Sequence, residues 1–293
     1  MVLAKRYVAR RKAILCWYAV HQRDLPWRRT NDPYAILVSE MMLQQTQVDR
    51  VIPKFVGWLE VFPTVEALAH ATPAAVLRAW SGLGYNRRAL FLQRAARCVA
   101  EAGWPQTVDG MSTLPGIGPY TAGAVLSFAF GKRTLAFDVN VQRVVRRAFV
   151  GVSPKKKRSE GKALLALAEK LLPKDASTWQ QGLMDLGATI CTTRPHCLVC
   201  PLRATCPSAK AFLAGWKEPS VKKQTVRFVD SARFVRGQIL KQLAAHERRS
   251  VAQLEAVLGR VDVSAERFAL ALRALEREGL IERKNRVYAL PGA

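Results

Sequence analysis

The chain has 293 residues, 49% of them apolar, enough for a sizeable core in one large or two ordinary domains and too many for wholesale disorder. Lys and Arg number 46 against 22 Asp and Glu, a formal net charge of +24 that favours a polyanionic partner, because each neutralised phosphate releases counterions. No run of roughly 18 apolar residues exists to span a membrane, and the basic stretch 1–15 lacks the continuous apolar segment and cleavage site of a secretory signal.

In chain order, most of the sequence reads as helix. Upstream of the first long apolar stretch stands Leu25-Pro26-Trp27-Arg28. The segment Ile36 to Gln47 then carries Glu40, the only acid between Asp32 and Asp49. Desolvation would raise its pKa, which suits a general acid near neutral pH; a structural buried Glu with an Arg partner is the lesser alternative. Gln44, Gln45 and Thr46 are compact polar groups suited to filling the gap left by an extruded base, or to ending a helix. Helical spacing follows in Val65, Leu68 and Ala69 and in Val76, Leu77 and Trp80, with Thr64 and Thr72-Pro73 as expected starts. Gly82-Leu83-Gly84-Tyr85 is a turn. Leu114-Pro115-Gly116-Ile117-Gly118-Pro119-Tyr120 is a tight turn before an apolar helix, where Gly116 and Gly118 allow close approach and backbone N–H groups at the helix start suit phosphate.

Asp138 lies 18 residues beyond Tyr120 and is the only acid between Asp109 and Glu160. A carboxylate among Ala136, Phe137 and Val139 needs a partner or a task, and it also fits the N-cap of a helix over 139–149. The basic run Lys155 to Arg158 reads as a solvated loop or as a DNA-backbone contact. Cys191, Cys197, Cys200 and Cys206 then crowd four thiols into 16 residues, while Cys16 and Cys98 stand alone. A disulfide framework would spread its cysteines, so this is the pattern of a metal site in a reducing cytoplasm, zinc or iron by spacing alone. Polar residues 217–227 read as a linker. Beyond it, 231–246, 250–258 and 264–279 look helical, and Leu280 to Arg283 and Arg286 to Leu290 look like two strands of a hairpin. That order suggests a small winged-helix-like domain over 228–293, or a structural cap.

Several of these motifs together resemble one family. Met184-Asp185-Leu186-Gly187-Ala188 running into Cys191, with Cys200-Pro201-Leu202, resembles the iron–sulfur loop of the endonuclease III and MutY-type glycosylases. The 114–122 segment resembles their helix–hairpin–helix. The stretch around Glu40, with Leu25 to Arg28 and Gly82 to Tyr85, is similar to the adenine glycosylases of the MutY type. The resemblance covers roughly residues 10 to 215. It implies a mainly α helix–hairpin–helix DNA glycosylase domain over 1–216 carrying a [4Fe–4S] cluster on Cys191, Cys197, Cys200 and Cys206. It also implies that Glu40 protonates adenine, that Asp138 stabilises or attacks the sugar cation, that Tyr120 positions Asp138 or the sugar, and that Asn140 matches the family's Asn two residues on among the catalytic residues. Gln44, Gln45, Thr46 and Tyr85 contact the lesion pair, Gly116 and Gly118 the DNA backbone, and Arg28 and Gln181 lie near the adenine pocket.

The family's strand-cleaving branch has a lysine where Tyr120 stands; tyrosine forms no Schiff base, so removal of the base without strand cutting is expected. The division of labour between a proton donor and a second carboxylate is that of glycoside hydrolysis. The partner implied is double-stranded DNA with adenine opposite 8-oxoguanine or guanine, bound by a monomer in the cytoplasm at the nucleoid. Four features depart from the pattern. The first arm of the cysteine loop is one residue short, Asn86 follows Tyr85 where many members have Tyr or Ser, Val139 replaces a common Gly, and the C-terminal region is not the usual Nudix-like domain. A T:G or U:G mismatch glycosylase of the same superfamily is the nearest rival function, and a non-catalytic DNA-binding protein on the same scaffold the rival of another class.

Overall fold

The structure, a computed structural model, describes residues 2–152, 161–218, 227–259, 263–285 and 287–293. Among them are fifteen α-helices: α1 (Val2–His21), α2 (Pro33–Leu43), α3 (Val48–Val61), α4 (Val65–His70), α5 (Pro73–Trp80), α6 (Arg87–Ala102), α7 (Val108–Ser112), α8 (Pro119–Phe128), α9 (Val139–Val145), α10 (Gly161–Leu171), α11 (Ala176–Thr189), α12 (Ala209–Leu213), α13 (Ala232–Ala245), α14 (Val251–Gly259) and α15 (Ala265–Arg277). The mainly helical fold class is the expected one. The starts are local chemistry: Thr64, Thr72, Asp138, Ser231 and Ser264 each accept a hydrogen bond from a backbone N–H two or three residues into the helix that follows. No helix among the described residues is long and apolar enough to cross a membrane.

The chain divides into two compact units, neither continuous in sequence. The first comprises Met1–Ile36, Gln106–Ser112 and Ile117–Val221. Its core gathers Ile14 from α1, Val141 and Val144 from α9 and Trp179, Leu183 and Leu186 from α11, with Leu202 from the cysteine loop among them. Burying each such side chain contributes about 1.5–3 kcal/mol, so the loop is anchored by packing of Leu202 into this core. The basic run 155–158 and most of the expected linker lie outside the described residues. Glu218, within the first residues of that expected linker, accepts from Arg146 at 2.6 Å and from Arg147 at 3.1 Å.

The second unit comprises Leu37–Pro105, Thr113–Gly116 and Lys222–Ala293. Trp58 and Trp80 meet edge to face at 5.6 Å beneath α3 and α5, and Leu68 and Leu92 join α4 to α6. Its C-terminal part runs α13, β1 (Arg248–Ser250), α14, α15, β2 (Glu282–Lys284), β3 (Val287–Ala289). The three strands form one antiparallel sheet in the order β1-β3-β2, Arg249 and Arg283 both facing Tyr288 in register. The sequence announces the hairpin but not β1, which is three polar residues and gains strand character only by pairing with β3. Along α15 the buried stripe Phe268, Ala271, Leu272 and Leu275 has helical spacing. This winged-helix-like part is joined to α5 by packing of α13 and by a hydrogen bond from Ala74 N–H to the Pro291 carbonyl at 2.9 Å.

Candidate active site

Asp138 sits half-buried at the N-cap of α9, in extended backbone at φ −80° and ψ 176°. Its Oδ1 accepts from the Val141 N–H at 2.6 Å and its Oδ2 from the Asn140 amide at 2.9 Å. The cap reading and an oriented carboxylate therefore coexist in one residue. Asn140 Oδ1 in turn accepts from Arg143 Nη2 at 2.7 Å, and the same guanidinium donates to the Gly187 carbonyl and, through Nε, to the Cys191 carbonyl, each at 2.7 Å. Arg143 thus spans from the carboxylate's support to the first cysteine. The approach is close because position 187 is glycine: a Cβ there would stand 2.8 Å from that of Asn140. Tyr120 lies half-buried in the first turn of α8.

All four loop cysteines line one cavity with Val144, Leu186 and Phe212. They are half-buried, and none is in a disulfide. Burial, then the neighbouring thiols, pushes the Cys200 thiol up to about 11, and Cys197 and Cys206 move the same way. Four thiols and no carboxylate around an apolar wall fit a thiophilic centre. Arg147, 1% exposed, lies over the Phe212 ring at 4.7 Å and donates to the Thr192 carbonyl at 2.5 Å, tying the loop to the helical turn Arg146–Val150 that follows α9. Among the described residues no three metal-ligating side chains close around a single ion.

Arg28 and Gln181 belong to another buried cluster. Arg28 makes a bidentate pair with Asp185 at 2.7 and 2.8 Å, Arg23 adds a third contact at 2.6 Å, and Asp185 is fully buried. Tyr18 donates to Gln181 Oε1 at 2.8 Å, with the Arg28 guanidinium 5.8 Å above its ring.

In the second unit, Glu40 is 5% exposed on α2, so the burial expected of it is present. Gln45 and Tyr85 are non-glycine residues in left-handed backbone, φ 57° and 49°, which costs each about 1–3 kcal/mol and marks positions held by their surroundings. What holds them is Arg88, which the sequence does not single out. Its guanidinium donates to the carbonyls of Met41 and Gln44, both at 2.6 Å, to the Gly84 carbonyl at 3.2 Å and to Thr46 Oγ1 at 3.4 Å. One buried cation therefore caps the C-terminal carbonyls of α2 and ties the Gln44–Thr46 loop to the Gly84–Tyr85 turn. Burial lowers its pKa to about 10, so it stays charged at neutral pH. Replacing Arg88 with Ala removes the donor shared by these carbonyls, of which Gln44 keeps Thr46 Oγ1 at 3.3 Å and Gly84 keeps Trp80 Nε1 at 3.0 Å, and is expected to cost about 2 kcal/mol in urea unfolding; a loss under 1 kcal/mol contradicts the clamp.

The two hairpin glycines are not alike. Gly116 has φ 76°, and a Cβ on it would stand 2.7 Å from Phe91 Cβ, so only glycine fits. Gly118 has φ −96° and open space around it, and its role is to present Pro119 and the N-terminus of α8.

The signature of the HhH-GPD superfamily base excision DNA repair proteins matches residues 38–174. The chain is 44% identical over 237 residues to an adenine DNA glycosylase of Mycolicibacterium smegmatis, covering 78% of each chain. It is 38% identical over 289 residues to one of Mycobacterium tuberculosis, covering 95% of this chain and 92% of that one. The human adenine DNA glycosylase is 42% identical over 211 residues, and the match spans only 38% of its length. Among solved structures, a thermostable thymine-DNA glycosylase superposes with a TM-score of 0.66 at 31% identity, over 72% of this chain and all of that one. An endonuclease III–DNA complex superposes with a TM-score of 0.58 at 21% identity, a likeness of fold, over 70% of this chain and 95% of that one.

Proposed function

The chain belongs to the HhH-GPD superfamily of base excision DNA repair proteins, and within it to the adenine DNA glycosylases; on that premise we propose that it hydrolyses the N-glycosidic bond of adenine opposite 8-oxoguanine or guanine in double-stranded DNA, without cutting the strand. The observation that carries the reading is the anchored carboxylate of Asp138, fixed by Val141 and Asn140. Departure of a purine needs a proton on the ring and negative charge beside the sugar as it becomes oxocarbenium-like. Glu40 is assigned the first task, as the buried carboxyl of α2. Asp138 is assigned the second. Its two oxygens are held in place before the reaction, so stabilising the cation requires no reorganisation.

Tyr120 cannot form the Schiff base a lysine would, so the product is an intact strand with an abasic site. Gln44, Gln45, Thr46 and Tyr85 are assigned contacts with the mispair, and Gly116 and Gly118 with the backbone. Arg28 acts through Asp185 and Gln181 through Tyr18, which makes them positioning residues in this proposal. Cys191, Cys197, Cys200 and Cys206 would hold a [4Fe–4S] cluster, which when bound would stiffen the loop whose Cys191 carbonyl holds Arg143 of α9 against Asn140. A monomer acting in the cytoplasm at the nucleoid is the simplest setting.

The test is incubation with duplexes bearing A:8-oxoG, A:G, T:G and U:G, followed by alkali. Adenine duplexes are expected to yield cleaved strand only after alkali, from a preparation that contains iron and not zinc. Product from T:G or U:G alone would instead favour the reading suggested by the similar thymine-DNA glycosylase. Cleavage without alkali would contradict the argument from Tyr120.

A further inference from the structure

Asp138 stands at the end of an extended segment, residues 131–137, that belongs to no helix or strand. Extended backbone leaves its N–H and C=O groups unpaired unless another group serves them, and buried ones cannot turn to water. Ala136 is fully buried. Its N–H donates to Oε1 of Gln180, and Nε2 of the same amide donates to the Thr134 carbonyl at 3.0 Å. A carbonyl and the N–H two residues on are the pair that one residue of a parallel strand would serve, so this side chain takes the place of a neighbouring strand. Gln180 is itself fully buried on α11, and its Nε2 also lies 3.0 Å from Ser127 Oγ on α8 and 3.0 Å from the Ala176 carbonyl one turn back. Turning the amide over would set oxygen against two carbonyls and nitrogen against an N–H, so its orientation is fixed. The segment is also pressed against α8. Thr134 Oγ1 donates to the Gly123 carbonyl at 2.9 Å, and a Cβ on Gly123 would collide with the Leu135 carbonyl.

We propose that Gln180 is a positioning residue for base release: by pairing with both Thr134 and Ala136 it sets the register of the segment against α8 and α11, and with it the place of the Asp138 carboxylate. The inference rests on the glycosylase reading and adds to it a residue that acts only through backbone, since a side chain with no exposed surface meets neither duplex nor base. Asp138 then has two anchors. The Val141 N–H and the Asn140 amide orient its oxygens relative to α9, and Gln180 places the chain that carries it. The neighbouring Gln181, which the family resemblance singles out, pairs with Tyr18 instead. Misplacing a reacting group by roughly 1 Å costs up to about 10²-fold in rate, so an amide remote from the chemistry can have a large kinetic effect.

The experiment measures single-turnover base release by the full chain, in excess over A:8-oxoG and over T:G duplexes, so that the rate constant is that of bound, folded enzyme and does not follow the amount that folds. Gln180→Met keeps the length and removes both polar atoms; Gln180→Asn keeps the amide one methylene short. Both are compared in the native and the Asp138→Asn backgrounds. In the native background Gln180→Met is expected to slow release about 30-fold and Gln180→Asn about fivefold, while Kd for the duplex changes less than about twofold. In the Asp138→Asn background either change is expected to slow the residual release less than about twofold, because no carboxylate is left to misplace. Equal losses in the two backgrounds would make Gln180 a structural residue only and overturn the proposal, as would a rate unchanged by Gln180→Met. Should Gln180→Met not fold, the same comparison is made with Gln180→Asn. Release of neither base by the native chain would overturn the glycosylase reading, whereas additive losses from an active native chain overturn only the role of Gln180, so the two failures are separable.

Discussion

Replacing Asp138 with asparagine is expected to lower the single-turnover rate of adenine release by about 10³-fold or more, while DNA binding changes by less than about threefold. Asparagine is as good an N-cap as aspartate, so the change removes charge and keeps the start of α9. The cost to the fold is specific. Asp138 Oδ2 accepts from the Asn140 amide, and an amide nitrogen placed there would face a second donor. Asn140 cannot turn to offer its oxygen without giving up the hydrogen bond from Arg143. One hydrogen bond is lost either way, about 1 kcal/mol in denaturant unfolding, far less than the loss of rate. Glu40→Gln should match it in rate, by removing the proton donor. Retention of more than a tenth of native activity by either variant at saturating enzyme would sink the assignment of that residue.

The second large effect falls on stability. Asp185→Asn leaves Arg23 and Arg28 without their shared anion in a site where Asp185 is fully buried. Breaking such a pair costs about 3–5 kcal/mol, because the uncompensated charge remains. The effect depends on pH in a defined direction. Burial pushes the Asp185 carboxyl up, but the hydrogen bond and charge of Arg28, with Arg23, outweigh it and hold the group below the ordinary carboxylate value. The unfolded chain therefore takes up this proton more readily than the native one. The stabilisation is complete above the unfolded value of about 4 and drains away as pH falls through the lower, folded one. Guanidinium unfolding should show the full gap between native chain and variant at pH 7 and a shrinking gap below pH 4. A gap that is constant across that range, or absent at pH 7, would mean that the three residues are not coupled as the distances indicate.

The positions that bear on function were legible in uneven degree. Asp138 and Glu40 stood out because each is the only acid in a long apolar stretch, and the cysteine loop because four thiols fall within 16 residues. Arg88 and Arg143 did not stand out, being two among many basic residues in a chain of net charge +24. What sets them apart is what they touch: buried carbonyls of α2 and the support of Asp138. Such partners lie 3 to 47 positions away along the chain, and a pattern of neighbours in sequence carries no trace of them.

By itself the sequence determined the helical class, the capped starts at Thr64, Thr72 and Asp138, the turn at Gly116 and the thiol set of the loop. These are settled by interactions within a few residues, where side-chain type fixes the backbone or the donor chemistry. Only the tertiary structure decided that Arg28 is spent on Asp185, that Gly116 and not Gly118 must be glycine, and that Arg249 joins a third strand. Each of those depends on burial or on close approach between segments remote in the chain, and the free energy of a buried charge or a missing Cβ is set by what lies opposite it.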